Sequence, residues 1–175
     1  MACVPTTGET LDCRDGKGGI KTIYIAALSN VGTPTSASGI ITAWTAANGD
    51  FFTYQVRPEV SNATFTANVS DANGTSFYTH AVNFTVYKMS AAKNQEFMRL
   101  AQGRLVIIVK SNTLDANGTN IYWVYGLNNG LNMTSSTGET GTAMGDLNGY
   151  KYAFTGSDEE APYNLTASLI TGLTT

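Results

Sequence analysis

One stretch constrains the chain more than any other: residues 87–110, YKMSAAKNQEFMRLAQGRLVIIVK, where the only helical periodicity in the sequence runs straight into an unbroken apolar run. Ser90 offers a side-chain oxygen for an N-cap, and Gly103 can take the left-handed conformation of a C-cap. Between them Phe97, Met98, Leu100 and Ala101 fall at i, i+3, i+4 spacing, the signature of one apolar helical stripe. The spacing predicts a helix of about three turns over residues 90–102, docked on a core through those four side chains. Residues 104–110 (RLVIIVK) then read as a strand covered on both faces, since a strand with one wet face would alternate. Everything else reads as short strands and turns. The expected fold is therefore mainly β, a sandwich or barrel of short antiparallel strands with one flanking helix that divides the chain into two β halves.

Alternation marks the remaining strands. Residues 20–28 place Ile23 and Ile25 on one face, and residues 75–87 place Tyr78, His80, Val82, Phe84 and Val86 on an apolar face opposite Phe77, Thr79, Ala81, Asn83 and Thr85, a face read as small and polar. D-x-N-G occurs three times, at Asp71, Asp115 and Asp146, each between strand-like runs where Asn-Gly suits a tight hairpin turn. An Asn-Gly in residues 46–50 suggests a further hairpin between residues 40–44 and 51–57. Residues 29–37 read as a loop, 131–134 as a short strand within residues 128–149, which are either a long functional loop or a loose hairpin, and 165–173 as a closing strand. At 175 residues the chain suits a single β-sandwich domain, residues 1–175, in which residues 1–19 form an extended N-terminal arm.

Several chemistries are disfavoured. The charged fraction is 13% and the net charge −3, with Lys and Arg scattered singly, so nothing resembles a basic patch for specific nucleic-acid binding. No run reaches the roughly 18 apolar residues of a membrane span, and the N-terminus lacks a charged start followed by an apolar stretch. Without a secretion signal the N-x-S/T triplets are discounted as glycosylation sites. Cys3 and Cys13 are the only cysteines, read as two free thiols with a small disulfide loop as the alternative. The D-x-N-G turns lack the further oxygen ligands of a calcium loop. His80, the only histidine, has strand neighbours and no evident nucleophile or orienting acid, which points to a structural role. Asp15-Gly-Lys-Gly-Gly19 departs from the phosphate-loop pattern. Asp158, Glu159 and Glu160 read as a solvated loop cluster. No catalytic residue, cofactor site or metal site emerges, so an enzyme is not expected.

A resemblance adds to this reading. The block from Gln95 to Val109 (QEFMRLAQGRLVIIV), then Tyr122-Trp-Val-Tyr-Gly126, Gly130-Leu131, the run from Thr140 to Tyr150 (TGTAMGDLNGY) and Phe154-Thr-Gly156 with Ala161-Pro162 resemble tail tube proteins of phages infecting Bacteroidetes-type bacteria. The opening from Cys13 to Ile25 is similar to the start of the same proteins. The likeness covers about half of the chain; residues 51–83 match in general character only. It implies a β-sandwich subunit made in the host bacterial cytoplasm and located in the virion tail. Six copies would close a ring whose strands form a continuous inner barrel, and rings would stack into a tube for genome passage. The small polar face of residues 75–87 would be a candidate for the lumen, and the loops 29–50 and 128–149 for contacts between subunits or rings. On the helix, Gln95, Arg99 and Gln102 become candidates for subunit contact. Implied partners are further copies of the chain, other tail proteins such as the tape measure, the tail terminator and a sheath, and DNA as passing cargo only. Two alternatives are another virion protein, such as a head decoration or tail-completion protein, and a carbohydrate-binding module using Trp44, Trp123 and the tyrosines.

Overall fold

The computed structural model describes residues 8, 9, 11, 14–45 and 51–174. Cys3, Cys13 and the Asn-Gly of residues 46–50 lie outside them. In chain order the elements are β1 (Ile20–Ala27), β2 (Thr35–Ala37), β3 (Ile40–Ala43), β4 (Phe52–Gln55), β5 (Asn62–Ser70), β6 (Thr75–Tyr87), α1 (Ala91–Gln102), β7 (Leu105–Leu114), β8 (Asn120–Tyr125), β9 (Asn132–Glu139), β10 (Gly149–Asp158), β11 (Tyr163–Leu165) and α2 (Ile170–Leu173). The strands form a seven-stranded sheet, β2-β3-β11-β8-β7-β1-β4, and a four-stranded sheet, β5-β6-β10-β9. Both sheets are open, so the fold is a sandwich and not a closed barrel.

The expectation for β7 holds: Leu105 to Val109 are all buried. Alternate side chains of this strand serve two separate cores. Leu105, Ile107 and Val109 face the four-stranded sheet and meet Val82, Phe84, Tyr152 and Phe154. Val106 and Ile108 face the opposite way, where Trp44, Phe51, Leu165, Ile170 and Leu173 cover the large sheet. The inner core is aromatic, with Phe84 stacked on Tyr152 at 4.9 Å and on Phe154 at 5.8 Å between ring centroids.

The two β halves do not exist as such. Each sheet mixes strands from before and after α1, which instead carries the chain from the small sheet (β6) to the large one (β7). The hairpin expected between residues 40–44 and 51–57 is absent: β3 pairs with β2 and, in parallel, with β11, whereas β4 pairs with β1. Burial accounts for the difference, since Trp44 and Phe51 pack edge to face at 5.3 Å in the outer core. The loop 29–37 contains β2, and the expected strand 131–134 extends to Glu139. Residues 165–173 are not a strand; after β11 the chain turns through a 3-10 turn into α2, and Ile170 and Leu173, three apart, are both buried on it. Two D-x-N-G turns close hairpins as expected, with positive φ at Gly74 and Gly118 and not at the asparagines. The third, at Asp146, lies in a nine-residue loop, 140–148, that joins the antiparallel neighbours β9 and β10, so it closes a loose hairpin and not a tight turn. The end of the N-terminal arm docks on β7, where the Lys17 amide donates to Thr113 Oγ1 (3.1 Å) and the Asn112 side chain donates to the Gly18 carbonyl (3.0 Å).

Ser90 caps α1 as expected, its Oγ accepting from the Lys93 amide at 3.3 Å. Gly103 is extended, φ −105°, so the helix stops without a left-handed cap. The docking stripe is narrower than its periodicity implies. Leu100 is buried and Phe97 packs on Tyr150 and Tyr152, but Met98 is 53% exposed and Ala101 is exposed as well. Polar contacts supply the rest of the docking: Tyr54 donates to Glu96 Oε1 at 2.5 Å, Tyr150 donates to Asn94, and the Lys93 ammonium donates to the Tyr87 and Lys88 carbonyls. Leu100→Ala is expected to lower the unfolding free energy by about 2–5 kcal/mol and Met98→Ala by no more than about 0.5 kcal/mol. Urea titration of the two variants checks the contrast.

Candidate assembly surface

The small sheet has one face in the core and one face outside, and the register fixes which side chains meet on the outside. Across the four strands, Asn62 lies beside Asn83, Asn83 beside Ala153, and Ala153 beside Ser135. On one side of that row Thr64, Ala81 and Thr155 align, and on the other Thr85, Lys151 and Thr137. The face is thus a lattice of Thr, Asn, Ser and Ala. Its charged pair, Lys151 and Glu139, is mutually neutralised at 2.6 Å. Thr134 and Thr155 hydroxyls bond across β9 and β10 at 3.2 Å, beside the bulge between Ala153 and Phe154. The small polar side expected of residues 75–87 is this face, with two departures: Phe77 projects from the hairpin end, 42% exposed, and Thr85 is buried.

The edges of the sheet are β5 and β9, neither paired on its outer side among the described residues. They are nine and eight residues long. β7 passes from one edge to the other beneath the sheet: Leu105 bridges Leu131 at the β9 side, while Val109 and Ser111 share a cleft with Asn62 and Ala63 at the β5 side. α1 sits at the β9 side, where Met89 and Tyr150 close over Gly138. The exposed polar helix residues Gln95, Arg99 and Gln102 therefore lie along the same edge.

The residues weighed for chemistry are engaged structurally. His80 is 2% exposed; its Nδ1 accepts from the Gly126 amide at 3.2 Å and its Nε2 donates to the Glu160 carbonyl at 3.0 Å, which fixes a neutral ring. The ring stands edge-on to Tyr125 at 5.6 Å. Asp158 is not part of a solvated acidic cluster. It is buried and accepts from the Asn128 amide (3.2 Å), the Asn128 side chain (3.0 Å) and the Glu159 amide (2.8 Å), tying β10 to the turn after β8. Glu159 and Glu160 are exposed, as expected. Asp115 accepts from the amides of Asn117 and Thr119, and Asp146 from those of Thr142 and Ala143, so both carboxylates organise their own loops. These two amides hold the Asp146 carboxyl below its ordinary pKa. Among the described residues no group of three His, Cys, Asp or Glu side chains is placed to hold a metal ion, and every buried side-chain polar atom has a hydrogen-bond partner.

Two clefts accompany the edges. One, about 530 Å³, lies between β4, the end of β6 and α1, lined by Tyr54, Val86, Lys93 and Tyr152. Burial first, and then the bond to the Glu96 carboxylate, raise the Tyr54 pKa, and burial pushes Tyr152 up to about 12, so both phenols stay protonated. The other, about 570 Å³, lies at the β5 edge, lined by Phe65, Trp123, Tyr125 and Pro162. Sequence reasoning missed the second cleft and the role of Asp158, because each joins segments far apart in the chain. Comparison with protein families, with curated proteins and with solved structures finds no match to this chain.

Burial lowers the His80 pKa, against the opposing pull of Asp158 and the Glu160 carbonyl. A depressed folded-state pKa means that protons bind the unfolded chain more readily, so this contribution is complete above pH ~6.5 and is lost as pH falls through the lower folded value. The unfolding midpoint is expected to drop between pH 7 and 5, and part of that drop is expected to vanish in His80→Gln. Thermal melts across the interval measure both.

Proposed function

We propose that the chain is a structural subunit of a phage tail tube, assembling into stacked hexameric rings whose inner wall is the small sheet. The observation that carries this reading is the combination, on one sheet, of a neutral Thr/Asn/Ser/Ala face and two long unpaired edges. The strand directions make those edges compatible. β5 is antiparallel to β6, β6 to β10 and β10 to β9, so β5 and β9 run in opposite directions. When copies are set side by side around an axis, β9 of one therefore meets β5 of the next as an antiparallel neighbour, and the alternation continues through the joint. Six copies, the number the resemblance implies, would give a wall of roughly 24 strands, beyond the 16–18 that already leave an aqueous channel.

The exposed chemistry suits such a wall. Small neutral side chains offer no phosphate-binding cations, and the single Lys151 is paired with Glu139. An overall net charge of −3 adds mild repulsion toward DNA in transit. In this reading DNA is cargo, and the partners are other copies and other tail proteins. The loops proposed for contact contain strands of both sheets, β2 and β3 in residues 29–50 and β9 in residues 128–149. The second of them thus supplies an edge of the wall. Of the tryptophans a carbohydrate-binding module would need, Trp44 is buried with Nε1 donating to the Val31 carbonyl at 2.6 Å, which leaves Trp123 alone, 38% exposed, as a stacking platform.

Electron microscopy of the purified chain is expected to show rings or tubes; monodisperse monomers at high concentration would sink the proposal. Proline at the neighbouring positions Thr66 and Ala67 of β5 sharpens the test. In an edge strand alternate amides point inward and outward, so one substitution removes a donor to β6 and lowers stability. The other removes only the outward donor, and is expected to leave the melting temperature within a few degrees while abolishing tubes. Tubes formed by both variants would rule out β5 as the joint.

A further inference from the structure

The apolar stripe of α1 is wider than its own core requires, and the surplus has a matching surface elsewhere on the molecule. Met98 is 53% exposed, Ala101 is exposed beside it, and the Arg99 side chain is 74% exposed, held within the helix only by a long 3.5 Å contact with Glu96. The cleft at the β5 edge, about 570 Å³, presents the opposite chemistry: Phe65 is 52% exposed, Trp123 38%, and Pro162 closes one side. Immediately before Ala161 and Pro162 stand the exposed carboxylates Glu159 and Glu160. A thioether fits against aromatic rings, a small Ala lets the helix approach closely, and a guanidinium matches the adjoining acids.

The placement of the two surfaces gives the occupant. α1 lies at the β9 edge of the small sheet, and the cleft lies at the β5 edge. Neither can reach the other within one chain. On the reading in which β9 of one copy pairs with β5 of the next, the helix beside β9 is carried up to the cleft beside β5, on the core side of the joined strands. We propose that the outward face of α1, with Met98 at its centre and Arg99 at its rim, seats in the Phe65–Trp123–Pro162 cleft of a second copy of this chain. The contact would be a second seam outside the strand joint, and it rests on the assembly reading above. It assigns Arg99, among the polar helix residues, a partner in Glu159 and Glu160, and it places Gln95 and Gln102, at i−3 and i+4 from Met98, in the same seam.

Photo-cross-linking of the full chain decides the matter. Met98→benzoylphenylalanine, irradiated at concentrations where the unaltered chain assembles, is expected to give covalent dimers. Peptide mapping should locate the bond in the segment holding Trp123 or in the one holding Ala161 and Pro162. Assembly with cross-links mapped elsewhere overturns the helix seam and leaves the tube reading standing; an unaltered chain that never self-associates overturns both. A charge exchange gives an independent measurement on variants that fold normally by circular dichroism. Arg99→Glu is expected to raise the concentration needed for assembly about tenfold, and adding Glu159→Arg and Glu160→Arg to restore it. Failure of the reciprocal changes to restore assembly also overturns the seam.

Discussion

Burial of β7 on both faces is the constraint on which the rest of the structure depends. The five residues from Leu105 to Val109 have no wet side. At roughly 1.5–3 kcal/mol per fully buried aliphatic side chain they represent on the order of 10 kcal/mol, as much as a domain's whole net stability. A sheet built around such a strand needs a cover on each side. The inner cover is the small sheet with its stacked aromatics Phe84, Tyr152 and Phe154. The outer cover is assembled from separate pieces: Val31 ahead of β2, Trp44 after β3, Phe51 ahead of β4, and Leu165, Ile170 and Leu173 from residues 165–173. That division explains why two stretches with little strand content are nonetheless tightly bound, and why the Trp44 indole spends its donor on the Val31 carbonyl.

The small sheet has the opposite economy. On its core side the sheet is packed through β6 and β10, and on its other side most residues, Thr85 excepted, are at least partly open. Free positions in strands ordinarily gather β-formers and charges that keep the surface soluble. Here Asn recurs at 62 and 83 in laterally adjacent positions, although Asn is a poor strand residue. Charge is nearly absent. Strand propensity accounts for the threonines of this face and not for its asparagines.

Local periodicity was enough to find what depends on near neighbours. The bounds of β6, the doubly buried β7, the Ser90 cap and the Asp71 hairpin turn all follow from residues within a few positions of one another. It could not find pairings whose partners are distant. The parallel contact of β3 with β11 joins residues 40 and 164, and no pattern in either segment encodes the other. The end of the chain was ambiguous for another reason: Leu165, Leu169, Ile170 and Leu173 satisfy both periods over so short a run, and the need to cap the outer core selected the helix. Asp158 was misread because burial of a carboxylate depends on donors arriving from elsewhere, here from Asn128. Within the candidate surface, the polar face was legible and the edges were not, since strand order is a property of the whole sheet.

The edges themselves carry the last step. Unpaired strands invite association, and monomeric β proteins blunt them by shortness, by charge or by proline. The large sheet does this: β2 has three residues, and β4 has four, followed closely by Arg57 and Pro58. The small sheet does not. β5, NATFTANVS, is nine residues without a charge or a proline, and β9, NMTSSTGE, has its one charge at the final residue, engaged by Lys151. Exposed apolar side chains include Phe65 and Val69 on β5 and Met98 on the helix beside β9, as well as Ile40 on β3 and Phe52 on β4. A chain that protects two of its four sheet edges and leaves the longer two bare, each flanked by apolar surface, is organised as one would expect if those two meet. The excess of the α1 stripe over its own core then belongs to the same pattern as the uncharged edges, because both are surfaces the isolated chain has no use for.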